Sequence, residues 1–199
     1  MVELLPLRKV PFHSFFAVPF LFLMLFSHQL YGQLTADFSS NIQVGCSPLT
    51  VQFINSSSGA ITDYLWDFGN GNTSTLANPG AVYINPGTYT LSLTVSNATS
   101  TDTETRRAFI TVYQDPLAAF QADLLTGCAP LTVNFSDLST AGDGIIDTWL
   151  WDFGDGVISS QAAPSHAYGA AGSYDVTLVV EDDNGCSSTA ILPNYIEVT

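Results

Sequence analysis

The sequence predicts an all-β protein: two β-sandwich domains in tandem behind an N-terminal leader. Three observations predict it. The apolar residues of residues 33–199 recur every second position, as in half-buried strands, and no window carries a helical period. The whole pattern is written twice, about 85 residues apart. Clusters of Gly, Pro, Asn and Ser punctuate it at short intervals, as turns between strands require.

The leader comes first. Arg8 and Lys9 precede a charge-free run, Phe15 to Phe26, and a short polar stretch ends at Gly32. This is the layout of a secretory signal peptide, with cleavage expected after Gly32 although Leu30 is large for its place in such a site. An apolar run of 12 residues rises only about 18 Å as helix, short of the roughly 30 Å of a bilayer core, so no membrane span is expected after cleavage. The leader also disguises the charge. The full chain has 4 basic and 18 acidic residues, a formal charge of −14. Beyond Gly32 there are 2 basic residues, Arg106 and Arg107, and 17 acidic ones, a charge of −15 with no lysine. So acidic a surface repels phosphate, which excludes a nucleic-acid role.

The repeat then justifies each strand. Gly45-Cys46-Ser47-Pro48-Leu49-Thr50-Val51-Gln52-Phe53 returns at 127–135, and Leu65-Trp66-Asp67-Phe68-Gly69-Asn70-Gly71 at 150–156. Tyr83, Gly87, Tyr89, Leu93 and Val95 return as Tyr168, Gly172, Tyr174, Leu178 and Val180. Three extra residues fall near Ala141-Gly142-Asp143-Gly144, which reads as a loop. Asn70-Gly71 and Asp155-Gly156 read as tight hairpin turns whose central residues both take positive φ. About seven strands are expected per unit. Trp66 and Trp151 sit mid-strand as the bulky core residue of a sandwich, and Tyr89 and Tyr174 stand where immunoglobulin-like domains carry a tyrosine corner.

These residues carry a family resemblance. The strings Trp66-Asp67-Phe68-Gly69-Asn70-Gly71 and Trp151-Asp152-Phe153-Gly154-Asp155-Gly156, the pair His166 and Tyr168, and Pro86-Gly87-Thr88-Tyr89 resemble the PKD (polycystic kidney disease) domain, twice over. The first copy departs from that pattern at Asn70 and at Ala81-Val82-Tyr83, the second at Ala170-Ala171-Gly172. The resemblance implies immunoglobulin-like sandwiches that work outside the cell, contacting protein or polysaccharide or spacing other domains apart. The Gly-Cys-x-Pro style is similar to secreted surface proteins of Bacteroidetes-like bacteria.

Little in the chain suggests catalysis. His166 is the one histidine after the leader, and its neighbour Ser165 is adjacent in sequence, which does not set a hydroxyl on the ring, so a structural hydrogen bond is expected of it. Without lysine there is no Schiff-base nucleophile. Asp67-Phe68-Gly69 spells a kinase metal motif with none of its companions. No catalytic residue and no cofactor is therefore assigned. Asp152, Asp155, Asp182 and Asp183 form a candidate Ca²⁺ set, since that ion takes about six to eight hard oxygens, but the spacing is not that of an EF-hand. The simpler reading has Asp67 and Asp152 capping their own turns. The aromatics Tyr64, Trp66, Trp149 and Trp151 share a face with Phe68 and Phe153, which assigns them to the core ahead of a sugar platform.

Cysteine pairing is open. Cys128 and Cys186 lie in one unit, while their counterparts in the first are Cys46 and Thr101, so only the second unit can close an internal bridge. Cys128–Cys186 is the expected pair, with Cys46 left over. Strand parity objects, because it puts the two turns at opposite ends of a sandwich, whereas Cα atoms must come within about 7 Å. The domains are bounded at 33–114 and 115–199, and a joint at Tyr113-Gln114-Asp115-Pro116-Leu117 is short enough to make the pair a stiff rod. The leading expectation is a non-catalytic binding or adhesion module, secreted or at the cell surface, with the loop at 141–147 as a candidate contact. The alternative is a spacer within a longer secreted or surface-anchored enzyme or adhesin, and the abrupt finish at Thr199 suggests either a fragment or a short gene.

Overall fold

A computed structural model of the protein describes residues 33–199, and the leader lies outside the described residues. Among the described residues every regular element is a strand. The first domain runs β1 (Phe38–Ser40), β2 (Val44–Cys46), β3 (Leu49–Asn55), β4 (Asp63–Asp67), β5 (Thr73–Ser74), β6 (Gly80–Tyr83), β7 (Gly87–Ser96) and β8 (Thr101–Tyr113). The second repeats the order as β9 (Phe120–Ala122), β10 (Thr126–Gly127), β11 (Leu131–Asp137), β12 (Ile146–Asp152), β13 (Ile158–Ser159), β14 (Ser165–Tyr168), β15 (Gly172–Asp182) and β16 (Ser187–Val198). Each domain has a three-stranded sheet, β1-β3-β6 or β9-β11-β14, and a five-stranded one, β2-β8-β7-β4-β5 or β10-β16-β15-β12-β13. That is one strand more per domain than the sequence suggests, because the run before Cys46 or Cys128 forms a short strand parallel to the last one.

The period of two sets the burial. In β3 Leu49, Val51 and Phe53 are buried while Thr50, Gln52 and Ile54 are exposed. In β7 the same alternation buries Leu91, Leu93 and Val95. Trp66 and Trp151 are fully buried at the centres of their domains. Each indole N–H donates to a backbone carbonyl 2.9 Å away, Leu76 and Gln161 respectively, so the core holds no unpaired indole. Phe68 stacks on Trp66 and Phe53 packs tilted against it, as Phe153 and Phe135 do on Trp151. Tyr64 and Trp149 pack on the edge of these clusters, half-buried. The tyrosine corner forms in both copies, with the Tyr89 hydroxyl donating to the Asn85 carbonyl (2.6 Å) and Tyr174 to Ala170 (2.9 Å).

The turn after β4 differs from the expected tight hairpin. Asn70 and Asp155 keep negative φ, and positive φ falls instead on Gly69 and Gly71, and on Gly154 and Gly156. The chain thus makes a wider loop, closed by Phe68 N–H donating to Asn72 at 3.2 Å. Gly69 and Gly154 are also pressed against β7 and β15. A Cβ on either would lie 2.3 Å from the carbonyl oxygen of Thr90 or Asp175.

The long last hairpin of each domain is kinked by a register shift, between Tyr89 and Leu91 or between Tyr174 and Val176. Opposite the kink a non-glycine residue takes positive φ: Ala108 at 48° and Asn194 at 50°. Asparagine tolerates this region and alanine does not. Ala108→Asn, which copies the second domain into the first, is therefore expected to stabilise the first domain by about 0.5–1 kcal/mol. The check is a higher urea midpoint at unchanged slope.

Candidate functional site

The candidate residues fall into three places. The first is the turn between β12 and β13. The Asp152 carboxylate accepts the Gly154 N–H (2.9 Å), as Asp67 accepts that of Gly69 in the first domain, so both aspartates cap their own turns. Asp155 Oδ1 accepts from Val157 N–H at 3.1 Å, and its Oδ2 lies 2.8 Å from His166 Nε2. The imidazole stacks on Phe153, ring centroids 4.3 Å apart and planes 3° from parallel, and meets the edge of Tyr168. His166 thus ties the turn to β14. The Tyr168 hydroxyl donates to the Phe153 carbonyl (3.2 Å), and Tyr83 does the same to Phe68 (3.1 Å). Burial pushes both phenols above their ordinary range, so they stay neutral donors.

The structure separates the four carboxylates of the candidate Ca²⁺ set. Ile146, at the start of β12, pairs with Asp182, whereas Asp152 pairs with Thr177 at its far end. Asp152 and Asp155 therefore stand at one end of the sheet and Asp182 and Asp183 at the other, roughly 20 Å away at about 3.3 Å per residue. No single ion can touch all four. Parity of the strand, invisible in a list of carboxylates, is the reason.

Asp182 and Asp183 belong instead to the joint between the domains. Asp182 is 2% exposed. Its Oδ1 accepts the N–H groups of Asn184 (3.0 Å) and Cys186 (2.9 Å), which shapes the turn between β15 and β16. Its Oδ2 is buried with no hydrogen-bond partner. Asp183 Oδ1 accepts the Ile145 N–H at 2.8 Å. Asp182 Oδ2 and Asp183 Oδ1 flank the same space, 2.5 and 2.6 Å from where a Cβ on Gly144 would be. The neighbouring Asp115 has its carboxyl pushed up from the ordinary range, by desolvation first and then by the charge of Asp182.

The cysteines correct the expected pairing. Cys186 is bonded to Cys46 of the first domain, not to Cys128, with Cα atoms 5.4 Å apart. Cys128 is free and exposed. The parity objection decides the matter. Cys186 lies before the first residue of β16, whereas Cys128 lies beside Thr199, just past its end, and β16 is 12 residues long, roughly 35–40 Å. The chain passes the joint once, so the end of the second domain that carries Cys186 faces the end of the first that carries Cys46. Asp115 lies within 4.8 Å of both sulfurs, but sulfurs bonded to one another have no thiolate to offer a metal.

The three-residue insertion closes the joint. Gln114 N–H donates to Asp143 Oδ2 (2.8 Å), and the Asp143 N–H donates to the Gln114 carbonyl (3.2 Å). A Cβ on Gly142 would sit 2.0 Å from the Gln114 carbonyl oxygen and 2.7 Å from that of Asp115. Gly142→Ala is therefore expected to force the loop off the linker, costing about 1–3 kcal/mol. Thermal melting of the oxidised protein checks it. The loop at 141–147, expected as a free contact surface, thus spends Gly142 and Asp143 on the linker. Sequence reading puts Gln114 in the joint and Gly142 and Asp143 in the inserted loop without bringing the two together; the signal that joins them is the insertion itself, present in one repeat and absent from the other.

The PKD domain profile matches residues 33–112 and again 113–196. The chain belongs to the PKD domain family. The PKD pair is 34% identical over 145 residues to the pre-pro-metalloprotease PrtV of Vibrio cholerae, covering 73% of this chain and 16% of that protein. It is 38% identical over 93 residues to a microbial collagenase of Vibrio alginolyticus, covering 40% of this chain and 11% of that protein. Among solved structures, the PKD1 domain of Vibrio cholerae PrtV is 40% identical, with a TM-score of 0.38, covering 42% of this chain and 98% of that one. The PKD pair thus spans a sixth or less of the length of these curated relatives. PKD domains are non-catalytic modules, though these relatives are a protease and a collagenase. Among the described residues no helix is long and apolar enough to cross a membrane.

Proposed function

We propose that the two PKD domains act as a non-catalytic, extracellular spacer of fixed geometry, setting the distance and angle between the parts of a longer surface or secreted protein. The observation that carries this reading is the Cys46–Cys186 bond across the joint. Two domains on a linker move relative to one another by default, and a covalent bond across the joint restricts that motion to a set angle. The bond also argues for export, since disulfides persist in oxidising compartments, and the leader at 1–32 agrees with that. The relatives support a role as a part, because the PKD region is a small share of a protease or a collagenase. A binding or adhesion role for protein or polysaccharide is the less favoured reading, because the loop expected to make the contact is engaged on the linker. The test is to pass the oxidised protein over immobilised collagen and a polysaccharide array. A spacer gives no saturable signal at micromolar protein. Saturable binding that survives loss of the disulfide would overturn the spacer in favour of the contact role.

We further propose that Asp182 and Asp183 take up Ca²⁺ beside the joint, with Asp152 and Asp155 outside the site. A buried carboxylate oxygen without a donor is costly unless something positive meets it, and Asp182 Oδ2 is such an atom. Calcium at about ten times its dissociation constant would add about 1.4 kcal/mol, a rise in melting temperature of several degrees. Thermal-shift titration to millimolar Ca²⁺ is expected to show that rise. Asp182→Asn should abolish it and Asp155→Asn should leave it. No shift in the parent protein would end the idea.

A further inference from the structure

We propose that Cys128 is one half of a second inter-domain disulfide, whose partner is a cysteine in the last hairpin turn of a further PKD domain seated against this end of the second domain. The inference holds whether the pair spaces or binds, since it concerns only what meets that end.

The observation is an equivalence inside the molecule. Cys46 closes β2, which runs parallel to β8 with Gly45 opposite Val112 and Cys46 opposite Tyr113. In the second domain Gly127 stands opposite Val198 in the same parallel pairing, which sets Cys128 opposite Thr199. The next residue repeats the same hydrogen bond, Ser47 N–H to the Tyr113 carbonyl (3.2 Å) and Ala129 N–H to that of Thr199 (2.9 Å). The two cysteines therefore occupy one position in two copies of one frame. In the copy that meets a following domain, that position is bonded to the turn between the following domain's last two strands, at Cys186. In its own such turn the first domain carries Ser100, not Thr101, at the place of Cys186, because Asn97 N–H donates to the Ser100 carbonyl as Asp182 N–H does to that of Cys186, so the cysteines are distributed as a forward link at Cys46 and Cys128 and a backward link at Cys186. The free, exposed Cys128 is the forward link not yet made in the described residues. An exposed thiol with no partner is otherwise a liability in an oxidising compartment.

Bond formation joins the Cys128 sulfur to the incoming cysteine sulfur and releases both thiol protons and two electrons. The acceptor is a disulfide-form thiol oxidoreductase, whose own S–S bond is reduced to two thiols in the exchange.

The experiment appends a copy of residues 114–199 after Thr199, so that a second joint repeats the first. The three-domain chain is refolded with such an oxidant, alkylated and mapped by mass under non-reducing conditions. The expected result is two bonds, Cys46–Cys186 and Cys128 to the copied Cys186, with one alkylated thiol per chain, the copied Cys128. Cys128→Ser should raise the alkylated thiols to two. Appending residues 114 and then 33–113 with Ser100→Cys repeats the test on a domain of different sequence, in case the first copy does not fold. Alkylation of both Cys128 and the hairpin cysteine in a folded third domain would overturn the proposal. So would a bond from Cys128 to Cys128 of a second chain.

Discussion

Trp151→Ala is expected to destabilise the second domain by about 3–5 kcal/mol while leaving the first folded. The indole is fully buried and touches three other rings: Phe120 edge-on at 5.2 Å, Phe135 at 5.6 Å and Phe153 stacked at 6.5 Å. Truncation removes these contacts and leaves a cavity bounded by strands of two sheets, which cannot collapse without shifting both. It also strips the Gln161 carbonyl of the indole N–H 2.9 Å away. A domain of this size holds about 4–12 kcal/mol in all, so the loss is comparable with the whole margin. The domains have separate aromatic clusters, around Trp66 and around Trp151, so the effect should stay in one of them. Urea unfolding followed by tryptophan emission reads it, since Trp66 reports on the first domain and Trp149 on the second. Unfolding free energies of both domains within about 0.5 kcal/mol of the parent's would show that Trp151 is not the centre of its core.

Cys46→Ser is expected to uncouple the two domains. The bond spans a sequence separation of 140. On the chain-entropy model a ring of that size is worth about 5 kcal/mol, and measured values more often fall at about 2–4. The loss falls on the joint and on the second domain, whose unfolded chain is no longer tethered at Cys186. Substituting Cys46 is the cleaner choice, because Cys186 is fully buried and a serine there would bury a hydroxyl. In the variant Cys186 cannot turn to Cys128, which stays at the opposite end of β16. NMR relaxation should show one tumbling time for both domains in the oxidised parent and two in the variant. Independent tumbling in the parent would remove the basis for a fixed spacer.

The fold was legible because the repeat prints each strand twice. Alternation picked out Leu49, Val51 and Phe53 and their copies, and all six are buried. The tyrosine corners and the capping role of Asp67 and Asp152 were readable from local spacing, because each depends on a neighbour two to four residues away. The disulfide was not. Comparing two copies invites pairing within a copy, and nothing in residue spacing says that Cys186 meets the unit before its own. The candidate Ca²⁺ set failed for a related reason. Asp152 and Asp182 are both acidic and both in turns, but which end of a sheet a turn occupies depends on the number of strands crossed. The turn at Asn70-Gly71 misled because the Asn-Gly dipeptide also fits a wider loop in which the preceding Gly69 takes the positive φ. The contact between Gln114 and the loop at Gly142 was hidden because an insertion announces a loop without saying what the loop touches.

The bond at Cys46 has a mechanical consequence. Pulled from Gln33 and Thr199, a chain without it would pay out all 167 residues, roughly 600 Å of contour at about 3.6 Å each. With Cys46 joined to Cys186 the tension crosses between the sulfurs and bypasses the stretch of 140 residues between them. Only the short flanks can lengthen, by roughly 100 Å at most. Both tryptophans lie inside the bypassed stretch, so a tug on the ends loads only the core residues of the flanking strands, Phe38 in the first domain and Ile196 and Val198 in the second.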